Sequence, residues 1–211
     1  MFISRTRITA VLTASTAAAA LFIAGCSDND SDSMSGMDHG TATATASPST
    51  SAAAAARTDF NDADVTFLQM MYPHHAQAVD MAKLVPSHSQ NQQLLALAAD
   101  VEKAQAPEMR QITELLQSFG KPAPTAGTGH DGHAMPGMMS AEQMNALQAA
   151  SGPDFDRQWL TMMIEHHTGA VAMAETELDD GTNTESKALA RTILDSQRAE
   201  IDKMRAMLGQ S

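Results

Sequence analysis

Two stretches of the sequence combine histidine and methionine in the same order. FLQMMYPHHAQAVDMA covers residues 67–82, and WLTMMIEHHTGAVAMA covers residues 159–174, 92 positions later. Four of the eight histidines thus form two adjacent pairs, each with a Met pair before it and a third Met after it. Imidazole and thioether together suit soft Cu(I) or Ag(I). The candidate metal ligands are Met70, Met71, His74, His75, Met81, Met162, Met163, His166, His167 and Met173.

These stretches also have a purely structural interpretation. Met at helical spacing commonly fills a hydrophobic core, and a His beside it can be a hydrogen-bonded core residue. A duplication copies such features as faithfully as it copies ligands. Composition favours metal binding, because the chain has 16 Met against one Trp, one Tyr and six Phe. Met also occurs beside His in a loop, where there is no core to fill.

That loop, GKPAPTAGTGHDGHAMPGMMS at residues 120–140, forms a second group of potential ligands. Loops of this length without regular structure are usually functional or disordered. Its His130, Asp131 and His133 could hold Cu(II) or Zn(II) through nitrogen and oxygen, although this signal is less specific. We therefore predict an auxiliary metal site formed by His130, His133, Met135, Met138 and Met139.

The paired motifs are expected to lie on helices. In residues 62–85 and 154–178 the large apolar residues recur every three or four positions, and good helix formers are frequent. On a helix of 3.6 residues per turn, Met70, His74 and Met81 share one stripe. The two histidines of a pair point in different directions. If the two copies face each other across a twofold axis, all four histidines meet in the centre.

The similarity continues beyond the motifs, so the chain contains an internal duplication. At the same offset of 92 the matching pairs are Leu97 and Leu189, Ala98 and Ala190, Val101 and Ile193, Gln105 and Gln197, Glu108 and Glu200, and Leu116 and Leu208. Each copy reads as a pair of helices. Two helical hairpins joined by a long Met/His-rich crossover loop predict an all-α four-helix bundle.

Capping residues, glycines and prolines indicate where the predicted segments begin and end. We predict repeat 1 at about residues 59–118, a loop at 119–140, a short helix at 141–151 and repeat 2 at about 152–209, within a bundle domain spanning 59–211. Ser140 to Gln143 reads as a capping box for the short helix, which Gly152-Pro153 would close, and Thr182 to Glu185 as a capping box for the last helix. Pro73 and Pro107 fall inside helical patterns and should each cost about 3 kcal/mol or bend the helix.

The N-terminus has the features of a signal peptide. Two arginines precede an apolar stretch at residues 8–24, and Cys26, the single cysteine, follows. Leu21 to Cys26 resembles the lipobox of bacterial lipoproteins, which implies that residues 1–25 are removed and Cys26 is lipidated. The alternative is an uncleaved membrane anchor with a free thiol. Both place the folded part outside the cytoplasm.

Residues 26–58 are mostly Ser, Ala, Thr, Asp and Gly and are predicted to be a flexible tether. Without residues 1–25, 11 basic side chains remain against 25 acidic ones, a formal net charge of −14. Such a charge argues against a nucleic-acid partner. The partners we expect are a metal ion and, through the lipid anchor alone, the membrane; no protein partner can be predicted.

The doubled motif resembles the bacterial secreted family called domain of unknown function 305. The shared pattern is MM-x-x-HH-x-x-A-x-x-MA, with a later Gln-x-x-Glu at Gln105 to Glu108 and Gln197 to Glu200, and it covers about residues 59–209. The resemblance implies a ferritin-like helical bundle and a role in copper binding or tolerance. Glu165 stands where the first copy has Pro73, so the two halves are expected to differ.

Two functional classes remain open. The first is a lipid-anchored protein that sequesters or transfers copper without catalysis. The second is a ferritin-like metalloenzyme that oxidises metal or acts on oxygen species; such di-iron bundles use Glu-x-x-His, which is absent from this sequence. A ligand-free structural lipoprotein is a further alternative. Hydrolase, thiol-redox, nucleotide-binding and haem-attachment roles lack their motifs.

Overall fold

The computed structural model describes residues 57–122, 124 and 135–209. Cys26, the signal peptide, the tether up to residue 56, His130 and His133 lie outside these residues. Five helices are present: α1 (Asp62–His88), α2 (Gln92–Ser118), α3 (Ala141–Ala149), α4 (Gly152–Asp180) and α5 (Thr184–Leu208). The described ranges contain no strand, and the predicted all-α class is confirmed. Among the described helices, none has the length and hydrophobicity required to cross a bilayer.

The helix ends show which local predictions hold. Ser140 caps α3 as expected, with its side chain accepting from the Gln143 backbone N–H. The cap of α5 is Asn183, because the Thr182 hydroxyl donates instead to Asp64. The predicted capping box at Thr182 is therefore wrong. Gly152 and Pro153 begin α4 instead of closing α3, since proline is well tolerated in the first turn of a helix.

The four long helices form two hairpins, α1 with α2 and α4 with α5, which meet mainly through α1 against α4. These two central helices are antiparallel. Near one end of their contact, the Trp159 indole N–H donates to the Met81 carbonyl at 2.9 Å. Near the other end, the N-terminal part of α1 reaches the end of α4, where the Asn183 N–H donates to Asp64 at 2.9 Å. Pro73 and Pro107 lie inside continuous α1 and α2.

The hydrophobic core is divided into two clusters along the bundle. Cluster one holds Met81, Val85, Leu97, Val101, Phe155, Trp159, Met163 and Met204, among others. Cluster two holds Phe67, Leu68, Met71, Ile112, Leu116, Ala170, Met173 and Ile193, among others. On every long helix, the interval between the two clusters contains buried polar residues. The interior is therefore apolar in both halves of the bundle and polar between them.

Candidate metal centre

A layer of eight buried polar side chains separates the two clusters. We call it the central polar layer; it consists of His74, His75, Gln105, Glu108, His166, His167, Gln197 and Glu200. The second four residues follow the first four at the repeat offset of 92. Burying polar groups costs free energy unless they find partners, and the amides of both Gln side chains make no hydrogen bond to the described residues. Such a layer lowers stability, which indicates a functional reason for it.

His74 and His166 form the centre of the layer. Their ring centroids are 3.7 Å apart with 38° between the planes, and both side chains are fully buried. Burial and the neighbouring His75 lower the pKa of His74 to about 3. Burial, then His74, lowers the pKa of His166 well below its ordinary value. Both rings are therefore neutral near pH 7, the form in which imidazole binds a metal.

Hydrogen bonding fixes which nitrogen of His74 is free. Its Nε2 lies 3.1 Å from the Pro136 carbonyl oxygen, which can only accept, so Nε2 carries the proton. The Nδ1 lone pair then has no hydrogen-bond partner among the described residues. Neither ring nitrogen of His166 makes a hydrogen bond of normal geometry. Adjacent imidazoles with unpartnered buried nitrogens are a donor group that a metal ion would satisfy.

The outer two histidines are each held by a carboxylate. His75 Nε2 donates to Glu108 at 2.8 Å, and His167 Nε2 donates to Glu200 at 2.7 Å. This leaves Nδ1 of both rings without a partner among the described side chains. A carboxylate behind an imidazole orients the ring and makes its other nitrogen a better metal ligand. Neither glutamate was among the predicted site residues, although the duplicated Gln-x-x-Glu spacing was the signal for both.

The predicted methionine ligands flank the layer on both sides. Met71 and Met173 belong to cluster two, and Met81, Met162 and Met163 to cluster one. Met71, Met81 and Met163 are fully buried, whereas Met70 is partly exposed. The thioethers thus pack the core, as the structural interpretation expects, and they also lie at the two edges of the imidazole group. Burial alone does not separate the two interpretations.

The donor set of the layer limits the metals that it suits. Within the described ranges, no three side chains of His, Cys, Asp or Glu are arranged to hold a metal ion. Zn(II) in structural sites requires four such ligands. Paired imidazoles with neighbouring thioethers fit a soft ion of low coordination number, such as Cu(I) or Ag(I).

Residues 135–140, which we call the strap, cover the layer from the side of the crossover loop. The Gln77 side chain accepts from the Met139 N–H at 2.7 Å and donates to its carbonyl at 2.9 Å. Met139 is buried in cluster one, while Met135 and Met138 are partly exposed. Three of the five predicted auxiliary ligands therefore lie beside the bundle; the other two, the loop histidines, are outside the described residues.

Glycines allow the strap to approach α4 closely. Gly137 has a φ of +79°, and a Cβ there would lie 2.8 Å from the His166 carbonyl oxygen. A Cβ on Gly169 would lie 2.0 Å from the Pro136 carbonyl oxygen. This is the same oxygen that accepts from His74. Because neither glycine has a side chain, the backbones of the strap and α4 lie in direct contact. This contact keeps the strap in place against the layer.

Replacing Gly169 by Ala is expected to displace the strap and break the His74–Pro136 hydrogen bond. Overpacking of this kind typically costs about 1–3 kcal/mol of unfolding free energy, measurable by chemical denaturation. Gly209→Ala is the matched control, because the nearest atoms to its Cβ would be 3.7 Å away. Equal stability of the two variants would contradict the close contact.

Comparison with known proteins agrees with this architecture. The structure of a DUF305 fragment from Deinococcus radiodurans is 34% identical, with a TM-score of 0.65, covering 73% of this chain and 100% of that one. A candidate secreted DUF305 protein from Streptomyces coelicolor is 30% identical, with a TM-score of 0.64 and coverages of 70% and 93%. No functionally curated protein matches the sequence.

A third similar structure is that of CopM in a Cu(II)-bound form. It is 32% identical, with a TM-score of 0.62, and the alignment covers 70% of this chain and 96% of CopM. CopM has also been solved with Cu(I) and with Ag bound. The family described as domain of unknown function (DUF305) matches residues 64–208. Because this match covers well over half of the chain, the protein belongs to the DUF305 family.

Proposed function

We propose that this protein binds copper as Cu(I) outside the cytoplasm and sequesters it or passes it on, without catalysis. The observation that carries the proposal is the close contact of the His74 and His166 rings, three of whose four buried nitrogens lack hydrogen-bond partners among the described residues. Thioethers border the pair on both sides. That a relative of 32% identity has Cu(II)-bound, Cu(I)-bound and Ag-bound structures supports the same class of ligand here.

We expect the site to prefer Cu(I) and Ag(I) over divalent ions, because its imidazole and thioether ligands are neutral. Neither ligand carries charge, so the bound ion adds one positive charge to a buried site, and a monovalent ion costs less desolvation there than a divalent one. Cu(II) and Zn(II) would favour additional nitrogen and oxygen ligands. We expect them to bind more weakly and assign them to the auxiliary loop site.

A competition titration of the protein with a chromophoric Cu(I) chelator, under reducing conditions, tests the proposal. We expect at least one Cu(I) to be retained against the chelator, Ag(I) to displace it, and Zn(II) to leave it bound. Loss of all Cu(I) to the chelator, or stronger binding of Zn(II), would contradict the proposal. Catalytic oxygen consumption by the copper- or iron-loaded protein would favour the metalloenzyme alternative instead.

The proposed location depends on Cys26 as the lipidation site. Replacing Cys26 by Ser is expected to prevent lipidation, so the protein either leaves the membrane fraction or accumulates as an unprocessed precursor. Cell fractionation and labelling with a fatty-acid analogue measure both outcomes. Ser51→Ala in the tether is a control that should retain membrane attachment. Unchanged fractionation and labelling of the Cys26 variant would instead support the uncleaved anchor.

A further inference from the structure

A surface groove opens on α1 and α4 beside one edge of the central polar layer. Its volume is about 460 Å³, and its walls include Phe67, Met70, Pro136, Ala172, Met173 and Thr176. Most of this lining is apolar. The two methionines supply thioether sulfurs, one from each copy of the repeat.

The opposite edge of the layer is closed. At the repeat offset of 92, Met162 corresponds to Met70, and Met81 to Met173. Met81 and Met162 belong to cluster one, where Leu147 of α3 and Met139 of the strap pack with them. The duplication therefore placed two methionine groups symmetrically, but α3 and the strap cover one of them. The other group lies in the groove.

The groove also reaches the layer through Pro136. This residue forms part of the groove wall, and its carbonyl oxygen accepts from His74 at 3.1 Å. Met70 precedes His74 by about one helical turn. Met173 follows His166 by about two turns. Through Pro136, the groove therefore borders the residue that is hydrogen-bonded to the His74 ring.

We infer that Met70 and Met173 form an outer capture site, through which a soft monovalent metal ion, Cu(I) or Ag(I), reaches the His74–His166 pair. The inference rests on the proposed function. Two thioethers bind such ions selectively but hold them less firmly than a set that includes imidazole, which suits transient capture. An ion moves from the groove to the imidazoles when the strap residue Pro136 shifts aside.

The kinetics of Ag(I) uptake by the full chain test this route. Trp159, the one tryptophan in the sequence, is buried beside Met81 and reports arrival at the interior through its fluorescence. Stopped-flow mixing with Ag(I) in chloride-free buffer gives the uptake rate, and equilibrium dialysis gives the affinity. In the double variant Met70→Leu with Met173→Leu, side-chain volume is nearly conserved, so the fold should persist.

For this double variant we expect uptake at least tenfold slower. Ala172→Phe provides an independent check, because an exposed groove residue becomes bulky while no candidate ligand changes and Trp159 stays the one tryptophan. It should also slow uptake and leave the affinity unchanged. The control Thr168→Phe, exposed on α4 but not part of the groove wall, should take up Ag(I) at the original rate.

Two results would contradict the inference without contradicting the proposed function. The first is an unchanged uptake rate in both groove variants. The second is a lower affinity of the Met double variant together with normal uptake by the Ala172 variant. The second result would make the two methionines ligands of the final site. If the unaltered protein binds neither Ag(I) nor Cu(I), the proposed function itself is wrong.

Discussion

Replacing both His74 and His166 by Gln should lower the affinity for Cu(I) at least about 100-fold, or roughly 2.7 kcal/mol. Both rings are neutral, buried and in contact with each other, and three of their four nitrogens have no hydrogen-bond partner among the described residues. Gln is polar and of similar reach, so it can still donate to the Pro136 carbonyl in place of His74. The competition titration under reducing conditions measures the change.

Two control variants locate the effect. His88→Gln makes the same chemical change on α1 but outside the layer, where the ring bonds to backbone carbonyls, and it should leave affinity unchanged. The double variant His130→Gln with His133→Gln should lose only weakly bound metal ions, because the loop must become ordered before it can bind an ion. If the loop variant abolishes binding and the His74 and His166 variant retains it, the loop is the metal site and the bundle histidines are structural.

The second prediction concerns stability and pH. Glu177 on α4 is buried, and its carboxyl group lies near that of Asp64 on α1. Burial first, and then the neighbouring Asp64 carboxylate, raise the pKa of Glu177 to about 8. Burial alone would raise the pKa of Asp64 too, but backbone N–H groups of Asn61, Asn183 and Thr182 bond to it, and its pKa is lowered. Asp64 is therefore ionised and Glu177 protonated at neutral pH.

The sign of the pH dependence follows from the raised pKa of Glu177. The folded protein holds a proton that the unfolded chain releases above pH 4.5, so unfolding becomes easier as the pH rises from 4.5 through about 8. We expect the metal-free protein to lose on the order of 2 kcal/mol of unfolding free energy over this interval, less than the full pKa shift corresponds to, because solvent screens part of the interaction. Denaturant titrations at closely spaced pH values measure it.

Glu177→Gln should remove this loss, because the neutral amide neither releases a proton in this pH range nor repels the Asp64 carboxylate. The variant is expected to be more stable than the original protein above pH 8, and its unfolding free energy should vary less with pH. Glu102→Gln, which neutralises an exposed carboxylate on α2, is the control and should keep the original pH profile. Identical profiles for the Glu177 variant and the original protein would show that Glu177 is already ionised in the fold.

Much of the architecture follows from the sequence alone. The spacing of apolar residues indicates helices, and the repeat at 92 positions indicates two equivalent hairpins, because a helix buries one face and a duplicated sequence buries the same face twice. The same repeat predicted that all four histidines would face one another in the centre. His74 and His166 do so, with ring centroids 3.7 Å apart, whereas His75 and His167 each bond to a glutamate of their own hairpin. The family follows from the same motif.

Other properties of the layer depend on tertiary contacts. Glu108 and Glu200 become part of it only because each hairpin brings residues 33 positions apart to 2.8 and 2.7 Å. No local pattern shows that the strap carbonyl fixes the proton on His74, or that Gly169 makes room for it. That one methionine group is covered while the other borders the groove is also a tertiary property, because α3 and the strap break the symmetry that the repeat imposes. Local sequence determines which side chains a helix presents, whereas packing between distant segments determines their protonation, partners and access to solvent.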